Sequence, residues 1–447
     1  MPLRHAAWLL LAIWGCTTGS TATKRPTHEE AGLAFIEDDY GAALRLARAR
    51  HLPLFVEAWA PWCQSCRSMR ATVLTDPALH PRADRFVWLA IDTDKPGNEA
   101  FLRRFPVDTW PTVLVLDADR ETVLARSLGA VSVPQLLGFL DGAERAFQQD
   151  RRERPVGLAR ADALAHAGSH GEAITSYQEA LARMSREDPL RAGTVVSLLK
   201  SLNASGASAE CMRLTARELS SLPRVDDRAR LLYIGIGCAL DLETEEAVAL
   251  RTTMEEEAIR GIQSPAEALL PALRSSLYEA TLEVRQAADD EAGTRRVAEE
   301  WLAFLEADAR NARSAEERSA LDNHRLRVAL LLEEPGRAIP ALEQSERELP
   351  ADYNPPARLA LLYLMSGQLD RALGASDRAL AIAWGFGRSM VVATHARILL
   401  ARGERAKAEQ LLKDTLHELE RAPEGLNTPR QQRVLRATLD LVQAKGN

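Results

Sequence analysis

Cys63 and Cys66 are the residues of this chain whose type and spacing best carry chemistry. Two cysteines separated by two residues can close a disulfide with each other and reopen it by exchange with a third sulfur. They lie in Trp59-Ala60-Pro61-Trp62-Cys63-Gln64-Ser65-Cys66, directly after an apolar run. That run, residues 53–59, reads as a buried strand, and residues 63–74 read as the helix that follows it. At a helix start Cys63 meets unpaired backbone N–H groups and the positive end of the helix dipole, which favour a thiolate. Cys63 is therefore the expected nucleophile, exposed and of low pKa. Cys66 sits nearly one turn further on, deeper, with its sulfur in reach of the first.

Glu57 lies six residues before Cys63, on the strand and among apolar neighbours. Burial would raise its pKa and make it a proton acceptor for the Cys66 thiol. The alternative is a strand glutamate facing solvent. A structural zinc site needs four ligands, and His51 and His80 stand in no zinc-like spacing, so no metal is expected. A purely structural disulfide closing so small a ring adds little stability.

The elements around the pair come in a recognisable order. Residues 33–36 read as a first strand and Tyr40–Arg50 as a helix. A strand at 86–92 and a short helix at 98–105 follow. Thr112–Asp117 and Thr122–Leu128 read as two strands joined by a turn at Ala118, Asp119 and Arg120. A helix over 133–149 closes the unit. Trp59-x-x-Trp62-Cys63-x-x-Cys66 within this order resembles the thioredoxin family. The resemblance implies a redox-active disulfide as the working group, with no other cofactor. It also implies that Glu57 takes the place of the family's buried acid. Pro111, in Trp110-Pro111-Thr112, matches the family's cis proline beside the cysteines, where Trp62, Trp110 and Pro111 would bind substrate. Ala71 stands where thioredoxin carries a proline, so the resemblance is nearer to secreted thioredoxin-like reductase domains. Gln64-Ser65 contains no histidine, which points to a reductase or isomerase rather than a strong oxidant.

Residues 1–16 read as a signal peptide, with an apolar core from Ala6 to Trp14 too short to span a bilayer. Gly15-Cys16 at its end resembles a bacterial lipoprotein box, which implies lipid attachment at Cys16. A cleaved signal without lipid and an uncleaved anchor are the alternatives. Each reading takes the chain out of the cytoplasm, to the periplasm, where disulfides persist. Residues 17–27 read as a polar tether, 28–150 as the thioredoxin-like domain and 151–447 as a helical domain.

Within that last part three windows share a pattern. Ala161, Leu164, Gly168, Ala173, Tyr177 and Ala180 form the first. Ala360, Tyr363, Gly367, Ala372 and Ala379 form the second, and Ala396, Leu399, Gly403, Ala408 and Leu412 the third. The spacing resembles tetratricopeptide repeats, whose period is about 34 residues. Small residues let paired helices approach, and Gly turns the chain between them. Residues 190–350 show only degenerate repeats, with Gly336-Arg337-Ala338 as one candidate turn. An irregular helical bundle is the alternative there. Cys211 and Cys238 fall in helical surroundings, as two buried small residues or, in an oxidising compartment, as a pair.

The net charge of −7 and the absence of basic runs give no reason to expect nucleic acid. The sequence thus predicts an α/β thioredoxin-like domain followed by an all-α repeat solenoid. Its expected role is an exported thiol–disulfide oxidoreductase acting on protein disulfides, with a protein partner on the repeats and a lipid anchor. The alternative is a non-catalytic scaffold lipoprotein whose repeats do the binding.

Overall fold

The computed structural model describes residues 32–148, 156–421 apart from 187 and 189, and 429–444. The leader, Cys16, the tether and the expected domain boundary at 150–151 lie outside the described residues.

Five strands make one mixed sheet in the order β1-β3-β2-β4-β5. They are β1 (Phe35–Glu37), β2 (Leu54–Trp59), β3 (Val87–Asp92), β4 (Thr112–Asp117) and β5 (Thr122–Leu128). β1 and β2 run parallel to β3, whereas β4 is antiparallel to both β2 and β5. The central strands β2, β3 and β4 are apolar on both faces because helices cover both faces. On one side Phe55, Trp88, Val113 and Val115 pack under Leu136 and Leu140 of α4 (Val133–Gln148). On the other, Val56, Leu89 and Leu114 pack under Ala43, Leu44 and Phe101 from α1 (Tyr40–Arg50) and α3 (Glu99–Arg104).

The helix expected over 63–74 is shorter. α2 covers Gln64–Ser68 and passes into a single π-turn at Met69–Val73. A 3-10 stretch then covers Pro77–Arg85, started by Asp76, whose carboxylate accepts from the Ala78 N–H. Pro77 and Pro81 carry no N–H, which blocks a continuous α-helix there.

The remainder is helical. Hairpins are formed by α5 (Val156–His166) with α6 (His170–Arg183), and by α7 (Arg191–Ala204) with α8 (Ser208–Leu219). α9 (Val225–Leu240) pairs with α10 (Glu245–Ile262), and α11 (Pro271–Ala287) with α12 (Glu291–Asn311). After the short α13 (Ala315–Ser319), α14 (Asp322–Leu331) leads into α15 (Ile339–Glu348). α16 (Asn354–Met365) pairs with α17 (Leu369–Ile382), α18 (Gly385–Ala401) with α19 (Arg405–Arg421), and α20 (Pro429–Ala444) packs on α18 and α19. Successive hairpins stack, as in tetratricopeptide-like arrays. Among the described residues no helix is long and apolar enough to cross a membrane.

The three sequence windows fall on three of these hairpins. Gly168, Gly367 and Gly403 take left-handed backbone at φ of 76°, 70° and 81°. The next residue's N–H returns to a carbonyl five back in each, as in Ser169 to Leu164, Gln368 to Tyr363 and Glu404 to Leu399. This is a Schellman turn, whose left-handed residue is normally Gly. The alanines at −7 and +5, Ala161, Ala173, Ala360, Ala372, Ala396 and Ala408, are all fully buried.

The degenerate stretch uses the same turn, once with glycine and twice without it. Gly206 makes it between α7 and α8, with Cys211 at the small-residue position five on. Asp289 and Glu333 make it at φ of 53° and 58°. Gly336, singled out in the sequence, instead lies in a 3-10 turn. Cys211 and Cys238 form a disulfide that ties α8 to α9, with Cα atoms 6.1 Å apart.

Candidate active site

Strand β2 delivers the chain to the cysteines. Cys63 is the N-cap of α2, and its Sγ accepts the Cys66 N–H at 3.1 Å. The two sulfurs are joined as a disulfide. Ala60, Cys63 and Cys66 form a small cluster walled by Trp59, Trp62 and Trp110. The Trp110–Pro111 bond is cis. Ser65 Oγ donates to the Trp110 carbonyl at 3.4 Å, and Trp110 Nε1 donates to Thr93 Oγ1 at 2.8 Å. Every residue singled out for the site in the described part of the sequence is therefore near this point or on the strand behind it.

Glu57 is fully buried, flanked in the sheet by Ala90 of β3 and Val113 of β4. One oxygen accepts from Arg70 Nη1 at 3.0 Å, while Oε1 has no partner. Burial pushes its carboxyl up to about 7, against the pull of Arg70. Sequence reasoning did not find Arg70, which lies in the π-turn, pairs also with Glu37 and stacks over Trp59 at 4.2 Å.

A second acid was also missed. Asp94 follows β3 and accepts from Trp62 Nε1 at 3.0 Å and from the Gly387 N–H at 3.3 Å. Burial, with Asp92 beside it, pushes its carboxyl up to about 7. Asp-x-Asp at the end of an apolar strand was the available signal, next to where the cysteines emerge.

The larger surprise is what covers the site. Asn354 Nδ2 donates to the Pro61 carbonyl at 3.0 Å. Arg67 pairs with Asp352 at 2.6 Å and donates to Ser319 Oγ at 2.9 Å. Gln64 Nε2 lies within 2.9 Å of both ring nitrogens of His324. Burial, helped by the charges of Arg358 and Arg325, lowers that histidine to about 3, so it is neutral. Trp384 Nε1 donates to Asp92 at 2.9 Å. Phe386 meets Trp62 edge-on at 5.4 Å, and the Arg430 guanidinium lies over both rings. The exposed nucleophile expected from the sequence is thus not what the structure holds. Cys63 is 5% exposed and Cys66 is fully buried, walled by Trp59, Trp62 and Trp110, while the helical array bonds to Pro61, Gln64 and Arg67 around them.

Among the described residues no group of His, Cys, Asp and Glu is placed to hold a metal ion.

Residues 35–118 match the model of a family described as thioredoxin-like. Over 103 residues the chain is 31% identical to the thiol:disulfide interchange protein DsbD of Neisseria meningitidis, spanning 22% of this chain and 16% of that protein. It is 29% identical over 90 residues to protein disulfide-isomerase 1 of Dictyostelium discoideum, covering 20% of this chain and 24% of the relative. It is 28% identical over 131 residues to the chloroplastic M-type thioredoxin of Zea mays, which is 28% of this chain and 74% of that one. The chain thus spans a quarter or less of the length of the first two relatives. A tetratricopeptide repeat protein from Parabacteroides merdae is 15% identical with a TM-score of 0.41, covering 64% of this chain and 97% of that one. The sheet domain is thioredoxin-like, and the described residues from 156 onward form a helical-repeat array.

Proposed function

We propose that this protein is a thiol–disulfide oxidoreductase that reduces or isomerises protein disulfides through Cys63 and Cys66. One observation carries the reading: Cys63 caps α2 with its sulfur on a backbone N–H, bonded to Cys66 and flanked by cis Pro111. A reduced Cys63 thiolate at this N-cap is stabilised by the same N–H group and the helix dipole.

The Cys63 thiolate attacks one sulfur of a substrate disulfide, and the other substrate sulfur leaves as a thiolate and takes up a proton. The Cys66 thiol then passes its proton to the Glu57 carboxylate, and its sulfur attacks Cys63 Sγ. The second substrate thiolate leaves, and the enzyme ends oxidised, in the form seen here. A dithiol donor must reduce it again for another turn. Trp62, Trp110 and Pro111 hold the substrate segment beside Cys63. The disulfide is itself the redox group, and the reading needs no other cofactor.

Export to the periplasm fits the apolar leader, and lipid attachment fits Cys16. The Cys211–Cys238 disulfide supports an oxidising compartment. The helical array would also bind a protein partner on the surface it leaves free. The scaffold reading draws support from the covered dithiol, since a site held shut needs no chemistry. The deciding test is reduction of a model protein disulfide by the full chain. Activity that Cys63→Ser abolishes supports the enzyme; no activity in the wild type, with the dithiol made accessible, supports the scaffold.

A further inference from the structure

The redox domain meets the helical array in two different ways. Along β5 and α4 the contact is firm. Arg230 donates to the Leu128 carbonyl from a buried position, Ser132 and Gln135 bond to Asp226 and Asp227, and Leu190 and Leu270 join the redox core. At the cysteines the contact is polar. It is made by hydrogen bonds, the Arg67–Asp352 pair and the Trp62–Phe386–Arg430 stack, with α11 and α13 also touching α2. The apolar cluster around the sulfurs contains no buried residue of the array. A cleft of about 660 Å³, lined by Trp59, Arg67, Arg70, Asp352 and Trp384 among others, separates the two surfaces beside α2. Polar contacts of this kind between units of one chain part more readily than a shared core.

The geometry points to a gate. The array's edge formed by α14, α16, α18 and α20 is an intramolecular cover over the dithiol, and it must lift before a protein disulfide can reach Cys63. The rest of the array stays attached through α5, α7 and α9 while that edge moves. A folded protein cannot reach a sulfur that is 5% exposed, and attack on a disulfide needs the incoming sulfur in line with the bond it breaks. Gly385 shows how closely the cover is fitted. It has left-handed backbone, φ 54°, and a Cβ there would fall 2.4 Å from the Asp94 Cβ. This inference rests on the redox reading of Cys63 and Cys66 and adds its regulation.

The test uses the full chain, reduced, with alkylation of Cys63 by iodoacetamide followed by mass spectrometry of its peptide at one fixed pH. Two variants loosen the cover at separate points: Asp352→Ala unpairs Arg67, and Gly385→Ala pushes the start of α18 away from Asp94. Near-ultraviolet circular dichroism checks that each is folded. The gate predicts slow alkylation in the wild type and a rate roughly tenfold higher in either folded variant. Equal rates in the wild type and the folded variants overturn it. Alkylation needs no turnover, so the two readings fail separately. Faster labelling with no disulfide reduction in the opened variants sinks the redox function and leaves the gate.

Discussion

Asn354 donates to the carbonyl of Pro61, a hydrogen bond between residues 293 apart that lies two positions before the nucleophilic cysteine. It joins the first turn of α16 to the loop that presents the dithiol. A separate repeat array appended to a redox domain would have no such bond. The chain has instead brought its array back over its own active surface, so chemistry and access are set by different halves of the molecule.

Glu57 sets the first expectation. Burial raises its carboxyl to about 7, so the base form that accepts the Cys66 proton accumulates as pH rises through that value. Release of the mixed disulfide should therefore speed up from pH 6 to pH 8. Glu57→Gln should flatten that rise and slow release about a hundredfold at pH 8 while leaving the first attack intact. Stopped-flow measurement of the two steps separates them; an unchanged release rate removes Glu57 from the mechanism. The stability sign follows from the same shift. With a folded pKa above the unfolded one, the contribution of Glu57 is complete below the ordinary carboxylate range and is lost as pH rises through about 7.

Cys211 and Cys238 close a loop between residues 27 apart in a buried part of the array. Replacing both with Ala should lower stability by about 3 kcal/mol in denaturant titration. Reduction of a model disulfide should persist, because this pair lies outside the site. Free thiols at both positions in the protein purified from its native compartment would contradict the pairing.

The left-handed turn residues give opposite expectations at two sites. Gly403→Ala should cost about 1 kcal/mol, since a Cβ is strained at φ 81°. Glu333→Gly should gain up to about 1 kcal/mol by relieving the same strain at φ 58°. Thermal unfolding of the two variants checks both, and a stabilising Gly403→Ala would undo the account of the turn.

Those same residues explain what the sequence could show. Hairpins turned by Gly168, Gly367 and Gly403 stood out because glycine marks the left-handed position and alanines flank it at fixed distances. Asp289 and Glu333 make the same turn without that mark, and Gly206 carries it with Cys211 in place of the alanine five on, so residues 190–350 read as degenerate. The strands β4 and β5 and the helix α1 were legible to the residue, since each is a single apolar or amphipathic run between turn signals. Cys63, Cys66 and Glu57 were legible as candidates because one strand, loop and helix present them in succession, whereas Pro111 was legible only through the resemblance to the thioredoxin family. Asp94 was missed although Asp92-x-Asp94 at the end of an apolar strand marked it. Asp352, Phe386 and Arg430 were not legible, because their approach to Trp62 and Arg67 is set by how a long array curves back, and no local pattern encodes that.

Cys16 and the leader before it carry an expectation of their own. Cys16→Ser should abolish membrane retention and leave the redox domain folded, as read by cell fractionation and circular dichroism. A wild-type protein that fractionates as soluble with an unmodified mature N-terminus would set lipid attachment aside.

The most direct test is a trap. Cys66→Ser removes the resolving sulfur and leaves Cys63 on its N-cap, so the variant should accumulate mixed disulfides with its natural substrates. They should run as extra bands on non-reducing gels, disappear with reductant and be absent from Cys63→Ser. Adducts formed by Cys63→Ser and not by Cys66→Ser would reverse the assigned roles. No adducts from either variant, with no disulfide reduction by the wild type, would contradict the enzyme altogether.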